Sequence, residues 1–302
     1  TASISTAGRS SGALATPPPI PRRFYSLDAL RGIAALIVVV YHWSVFSYPR
    51  GSDTVASTGP LPFPQLLSRI YAEGWLAVDI FFSLSGFVFF WLYADVIAAR
   101  TIGAGRFVAQ RFSRLYPLHF VTLIFVLCLQ AAVQLRFGHP FHYQVNDALN
   151  FFLNLFLVSG WFLGHEFSFN GPVWSVTVEV ALYGAFFAAC RLGFRRWWQL
   201  AVLAGAGAVV LETCQRNLGR GFLSFFLGGL CFYAYRELQV RGALPRKSGL
   251  PFILLAVVGA CIAIEPRGKL IYDAYATVFG TKLYLLGHDY LGGIILWFTQ
   301  MR

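Results

Sequence analysis

SLDALRGIAALIVVVYHWSVFSY, residues 26–48, is an apolar run of membrane-spanning length that carries an arginine and a histidine. Arg31 and His42 lie eleven steps apart. On a helix that is three turns plus about 20° of rotation and about 16 Å of rise, so the two side chains share a face. An ionisable residue inside a bilayer is costly, tends to face the bundle interior and marks a functional site by default. The plainer alternative is an Arg31 that snorkels to the headgroups and a His42 that only packs. Ser26 and Asp28 suit the helix start, as a cap and a first-turn acid.

The rest of the chain carries the same signature. Of 302 residues 57% are hydrophobic and 12% charged, with mean hydropathy +0.61; a soluble domain holds about 25% charged residues. Apolar runs occupy roughly 27–48, 74–94, 107–135, 148–163, 172–190, 197–211, 221–235, 250–264 and 274–298. The expected fold is all-α, a polytopic transmembrane helical bundle of roughly 8–10 spans. Strands alternating toward a polar lumen are missing from the pattern, which argues against a β-barrel. The net charge of +11 comes from 24 Lys+Arg against 13 Asp+Glu. These basic residues fall mainly at the ends of apolar runs, the positive-inside bias, so no nucleic-acid partner is expected.

Residues 1–23, rich in Ser, Thr, Ala and Pro, are expected to form a disordered cytosolic tail, and they lack a signal-peptide plan. Residues 24–302 then form one membrane domain. Cys128, Cys190, Cys214, Cys231 and Cys261 are scattered through apolar segments without metal-ligand spacing, and read as packing residues. His139 and His142 lack a third ligand, so no metal is expected.

The loops set the topology. Residues 49–73, with several prolines and few charges, read as an outer loop. Residues 95–114, 191–196 and 236–249 are basic and read as cytosolic. If 148–163 crosses the membrane, alternation puts 191–196 outside, against its charge. If 148–163 is re-entrant, all three basic loops share the cytosolic side. Both arrangements stay open.

Further polar residues sit inside the spans. Asp79 and Ser83 share a face, and Ser83, Ser85 and Gly86 allow another helix to approach closely. Arg111 and Arg114 point the same way, as a fork for phosphate or carboxylate or as ordinary membrane anchors. Pro117 follows within the same run and is a candidate kink. Ser175, Glu179 and Tyr183 form a stripe at steps of four.

SLDALRGIAALIVVVYH (26–42), GWLAVDIFFSLSGF (74–87), RFSRLYP (111–117) and GPVWSVTVEVALY (171–183), in this order, resemble the integral-membrane acyltransferase 3 family. Its members include bacterial polysaccharide O-acetyltransferases. RGFLSFFLGGL (220–230) is similar to the family's later glycine-bearing span. The resemblance implies a multi-pass protein of the bacterial cytoplasmic (inner) membrane with a cytosolic N-terminus. It implies transfer of an acyl group, usually acetyl, from cytosolic acyl-CoA to a hydroxyl of a carbohydrate or lipid-linked glycan. Acyl-CoA is then the donor substrate, and no bound cofactor is implied. The family's Arg-x10-His pair maps onto Arg31 and His42, its Arg-x-x-Arg pair onto Arg111 and Arg114, and its Trp-Ser…Glu motif onto Trp174, Ser175 and Glu179. The usual C-terminal Ser-Tyr…Tyr-Leu…His stretch is matched only weakly, by Leu286 to Tyr290, so a truncated or diverged C-terminus is expected.

Chemistry gives these residues roles. Coenzyme A brings phosphate charges that Arg111, Arg114 and Arg31 are expected to receive. An acceptor hydroxyl needs a general base, and an imidazole titrates near neutrality, which suits His42. Glu179, in preference to Asp79, is expected to orient it. His42 as a transient acyl carrier is the competing mechanism. Two rival readings remain, a proton-coupled transporter of a small solute and an inactive structural relative. The acceptor's identity and the oligomeric state are not readable from these residues.

Overall fold

The computed structural model describes residues 24–44, 61–139, 143, 145–162, 167–213 and 215–241. Nine α-helices and no strands are found among the described residues. They are α1 (Tyr25–Trp43), α2 (Pro64–Glu73), α3 (Ala77–Leu92), α4 (Ala94–Ala98), α5 (Ala104–Phe137), α6 (Ala148–Leu155), α7 (Trp174–Arg191), α8 (Trp197–Thr213) and α9 (Arg216–Val240). Four stretches of the described residues are long and apolar enough to cross a membrane: Tyr25–Trp43, Pro64–Leu92, Ala104–Phe137 and Gly171–Arg191. This is a helical membrane bundle. α8 is apolar but shorter, and α9, with 25 residues, reaches about 37 Å.

The bundle is organised on the α3–α9 seam. A Cβ built on Gly86 would sit 1.8 Å from the Phe225 carbonyl oxygen, and one on Gly228 would sit 1.9 Å from the Ser83 carbonyl oxygen. In a bilayer helices associate through such close backbone packing, because apolar side chains gain nothing by leaving lipid. Phenylalanines fill the space on either side of the seam. Phe90 meets Phe186 edge-on at 5.0 Å, and Phe225 meets Phe226 at 5.4 Å, the geometry that ring quadrupoles favour.

Contacts at the helix ends fix the chain directions. Phe24, before α1, packs on Trp91 and Tyr235 near the ends of α3 and α9. Gly74, just before α3, packs on Tyr41 near the end of α1. Arg220, near the start of α9, lies over Trp75 and Trp174, before α3 and at the start of α7. Asp95 and Arg195, beyond the ends of α3 and α7, form an ion pair at 3.1 Å. Arg111, two turns into α5, reaches Tyr93 at the end of α3. So α3, α7 and α9 run one way, and α1, α5 and α8 run the other.

That arrangement decides between the two topologies left open by the loop charges. α5 ends, and α7 begins, toward the same face, so residues 148–161 do not cross. α6 has only 8 residues, about 12 Å of helix. The Asn154 carbonyl lies 2.9 Å from His119 Nε2, midway along α5. Past the turn Ser159–Trp161, the indole N–H of Trp161 donates to Thr177 O at 2.8 Å and so returns the chain to α7. The segment is re-entrant, and the basic stretches 95–114, 191–196 and 236–241 all lie toward the other face.

Two expectations change. The second half of the expected 49–73 loop is helix α2, with Pro64 at its first turn, where the missing N–H costs nothing. Ser26 does not cap α1, because the helix already begins at Tyr25 behind Phe24; Asp28 keeps its first-turn place. Pro117 lies inside α5, which is assigned as one helix from Ala104 to Phe137. The expected tail 1–23, the runs 250–264 and 274–298, His142, Cys214, Cys261 and the stretch 286–290 lie outside the described residues.

Candidate active site

The polar stripe on α7 is the centre of the site. Tyr183 is buried, and its hydroxyl donates to the half-buried carboxylate of Glu179 one turn earlier. Its ring stacks on Phe89 of α3 with centroids 4.8 Å apart and 14° between planes, which holds the rotamer. Arg111 enters from α5. Its guanidinium carbon lies 4.6 Å from the Tyr93 ring centroid, 4.9 Å from Phe89 and 6.0 Å from Tyr183. A planar cation among aromatic faces is stabilised by their quadrupoles. Arg111 Nη2 donates to the Tyr93 hydroxyl, and its buried Nε has no partner.

The charges of Arg114, Arg111 and Arg31 all act on Glu179. Arg31 and Arg114 are exposed, Arg31 holding Asp28 at 3.4 Å, whereas Arg111 is half-buried. Three cations from two helices therefore lie within electrostatic range of one carboxylate on a third, and among the described residues none of them forms an ion pair with it. The expected shared direction of Arg111 and Arg114 is only partly realised. Arg111 turns into the aromatic cage, and Arg114 stays at the surface.

His42 stands apart from this cluster, about 16 Å along α1 from Arg31. Its Nδ1 lies 2.8 Å from the Val38 carbonyl oxygen. A carbonyl only accepts, so Nδ1 carries a proton, and in the neutral ring Nε2 is then the acceptor. Among the described residues no hydrogen bond or ion pair joins His42 to Glu179 or Asp79. A backbone carbonyl orients the ring instead of the expected carboxylate.

Asp79 is taken by another partner. It is 1% exposed, and Arg220 grips it with Nη2 on Oδ2 at 2.6 Å and Nε on Oδ1 at 3.3 Å. The Ser224 hydroxyl donates to Oδ1 at 3.3 Å. The guanidinium of Arg220 lies 4.4 Å from the Trp75 ring and 5.5 Å from Trp174. Asp79 thus closes the α3–α9 seam, with Arg220 and Ser224 as its partners and no bond to His42. Arg220 was not among the candidates read from sequence. The signal was present, as a lone arginine opening the run RGFLSFFLGGL opposite a lone acid in α3.

The remaining candidates are not bonded to Glu179 or His42 among the described residues. The Ser175 hydroxyl donates to Pro172 O at 3.0 Å and so stays at the start of α7. Ser83 is buried with its hydroxyl unpartnered. Ser85 is half-buried on α3, and no hydrogen bond ties it to Glu179 or His42. Among the described residues no group of three His, Cys, Asp or Glu side chains is placed to hold a metal.

A family model described as "Acyltransferase domain" matches residues 24–297. A protein named acyltransferase MdmB, from Streptomyces mycarofaciens, is 32% identical over 199 residues, 63% of this chain and 46% of that protein. A protein named protein 2 in picA locus, from Rhizobium radiobacter, is 38% identical over 103 residues, 34% of this chain and 44% of that protein. In each case the aligned stretch covers less than half of the relative's own length. No solved structure matches.

Proposed function

The chain belongs to the integral-membrane acyltransferase 3 family, and from that premise we propose that it transfers an acyl group from cytosolic acyl-CoA to a hydroxyl of a cell-surface carbohydrate or lipid-linked glycan. The observation that carries this reading is the placing of Arg111 beside Tyr183, whose hydroxyl holds Glu179, with the charges of Arg114 and Arg31 in range of the same carboxylate. All three arginines lie in the halves of their helices nearer the basic loops. The positive-inside bias makes that face cytosolic, in a bacterial inner membrane, with the N-terminus on the same side. Acyl-CoA then arrives from the side where the cations are.

The proposed roles follow from position. Arg114 and Arg31, exposed, receive the phosphate groups of the donor. Arg111, fixed by its aromatic cage, steers the end of the donor that carries the thioester. Glu179 balances the three cations when the site is empty, and Tyr183 holds its carboxylate in place. The acceptor comes from the opposite face, where His42 Nε2 has its lone pair free. As the hydroxyl oxygen bonds to the thioester carbon, Nε2 takes the hydroxyl proton. The carbon–sulfur bond breaks, and the imidazolium returns the proton to the departing thiolate. A positioned base of this kind is worth about 10²–10⁴-fold.

The test uses the purified protein in lipid nanodiscs together with the producing strain. His42→Ala should bind acetyl-CoA as the wild type does, yet remove acyl groups from surface glycans by mass spectrometry. Arg111→Ala with Arg114→Ala should weaken acetyl-CoA binding. Direct transfer predicts no acyl-histidine after mixing with labelled acetyl-CoA without acceptor. Solute uptake into proteoliposomes with no CoA present, and no acyl-CoA binding, would replace this reading with a transporter.

A further inference from the structure

One ionisable side chain buried at membrane depth takes no part in the mechanism above. His119 is 4% exposed and stands midway along α5. Its Nε2 lies 2.9 Å from the Asn154 carbonyl oxygen, so Nε2 is the donor and carries the proton of the neutral ring. Nδ1 is then the acceptor, and it is buried with no partner.

This bond fastens the re-entrant segment to α5. Asn154 Nδ2 donates to Asn150 O at 2.9 Å and to Ser168 Oγ at 2.8 Å, which ties the segment to itself and to the stretch that follows it. Leu157 turns the chain with φ at 57°, a conformation that a bulky side chain resists, so the closed turn depends on the bonds around it. Past the turn, Gly160 N donates to Thr177 Oγ1 at 3.1 Å and the Trp161 indole to Thr177 O. Thr177 lies between Ser175 and Glu179 on α7. One end of the segment is therefore held by a histidine, and the other by the helix that carries Glu179.

A second proton on His119 goes to Nδ1. It turns the buried acceptor into a charged N–H that faces no acceptor, and an unpaired buried charge is costly. The titratable and charged groups on the surrounding elements do not relieve it. Tyr116, on α5 itself, meets the ring edge-on at 5.9 Å between centroids. Arg114 lies further down α5 and is exposed. Asp147, at the start of α6, accepts from the backbone and side chain of Asn150. Glu179 on α7 is bonded to Tyr183. Residues 167–170 carry no charge.

We propose that His119 is a proton-sensitive latch. Neutral, it holds the re-entrant segment closed against α5; acid at the face where α5 ends releases the segment. The closed form binds fewer protons than the released form, so closure is complete at neutral pH and is lost as the pH falls. A free imidazole takes its proton near pH 6.5, and if only the released ring does so, the ratio of released to closed segment rises about tenfold from about pH 7.5 to about pH 5.5. The latch is independent of the acyltransferase reading.

The experiment is amide hydrogen exchange of the protein in lipid nanodiscs at those two pH values, corrected for intrinsic exchange. The amides of Leu157, Val158, Gly160 and Trp161 are hydrogen-bonded in the closed segment and report its opening. In the wild type their protection should fall about tenfold in acid. His119→Gln, whose amide still donates to the Asn154 carbonyl but takes no proton, should hold the neutral-pH protection at both values. His119→Leu, which removes the bond, should lose protection at both. Asp147→Asn should respond to pH as the wild type does. Peptides around Gly86 on the α3–α9 seam, protected in every sample, show that each protein is folded. Equal protection of the wild type at the two pH values overturns the proposal. So does a fall in His119→Gln that matches the wild type, an acid response that disappears in Asp147→Asn, or full protection in His119→Leu. Because no acyl-CoA is present, none of these results bears on the acyl transfer itself.

Discussion

At the scale of single residues, the informative finding is that each intramembrane charge already has its own surroundings. Asp79 is 1% exposed and held by Arg220, whose own side chain is 12% exposed. Removing one member of a buried pair strands the other, at a cost of about 3–5 kcal/mol. Asp79→Ala should therefore lower the denaturation midpoint strongly in detergent or nanodiscs. Asp79→Leu combined with Arg220→Met should recover most of that loss, since replacing a whole buried pair by packed apolar groups is often neutral. If the double variant is as unstable as the single one, the pair is not the source of the loss. Arg111 calls for a subtler change. Arg111→Lys keeps the charge but loses the flat contact with Phe89, Tyr93 and Tyr183, worth about 1–2 kcal/mol. Acetyl-CoA affinity should fall about 5–30-fold by titration, and an unchanged affinity would remove Arg111 from donor binding. The sequence exposed every one of these charges, because a charge in an apolar run stands out. It did not expose their pairing. Asp79 and Arg220 are 141 residues apart, and helical periodicity only reports which residues share a face. Glu179 and Tyr183 lie one turn apart on one stripe, so their contact is within the reach of periodicity; what periodicity does not report is which residue of another helix, His42 or none, meets that stripe.

At the scale of elements, glycines decide how the helices meet. Gly86 and Gly228 face backbone carbonyls across the α3–α9 seam, and no side-chain shift can make room for a methyl group there. Gly86→Ala should cost about 1–3 kcal/mol or more by overpacking, seen as a lower melting temperature and poorer folded yield. Gly205→Ala in α8, where a Cβ meets nothing within 4 Å, is the matched control. Helix propensity predicts that it is neutral or stabilising by up to about 1 kcal/mol. Equal losses at both positions would mean that the seam is not where the packing is tight. Long apolar helices such as α1, α5 and α7 were legible because their length alone demands a bilayer. α6 was not. An apolar run of its size fits a short span or a re-entrant turn equally well, and the choice is made by His119 and Thr177, which are distant in sequence. α2 was hidden for another reason, since prolines that mark a loop also open a helix at its first position.

At the scale of the whole molecule, loop charge and side-chain contacts, two independent signals, agree on one topology. Loop charge alone could not choose between a crossing and a re-entrant 148–161, because positive-inside is a bias that single loops override. Side-chain contacts know nothing of membrane sides, yet they send α3, α7 and α9 the same way and so gather the basic loops at one face. Arg100, Arg106, Arg111 and Arg114 then stand with Arg191, Arg195 and Arg196, and this shared face is where an anionic donor would be drawn. The arrangement has a direct labelling test, in a background with all five native cysteines replaced by serine. Arg136→Cys, at the far end of α5, should react with a membrane-impermeant maleimide added to intact cells or spheroplasts. Arg100→Cys and Arg196→Cys should react only after permeabilisation. Labelling of Arg196→Cys from outside, with Arg100→Cys protected, would mean that 148–161 crosses after all. Protection of Arg136→Cys with exposure of the other two would keep the helix directions but turn the molecule over. The arginines proposed to receive the donor would then lie on the side that acyl-CoA does not reach, and the acyltransferase reading would lose its electrostatic basis.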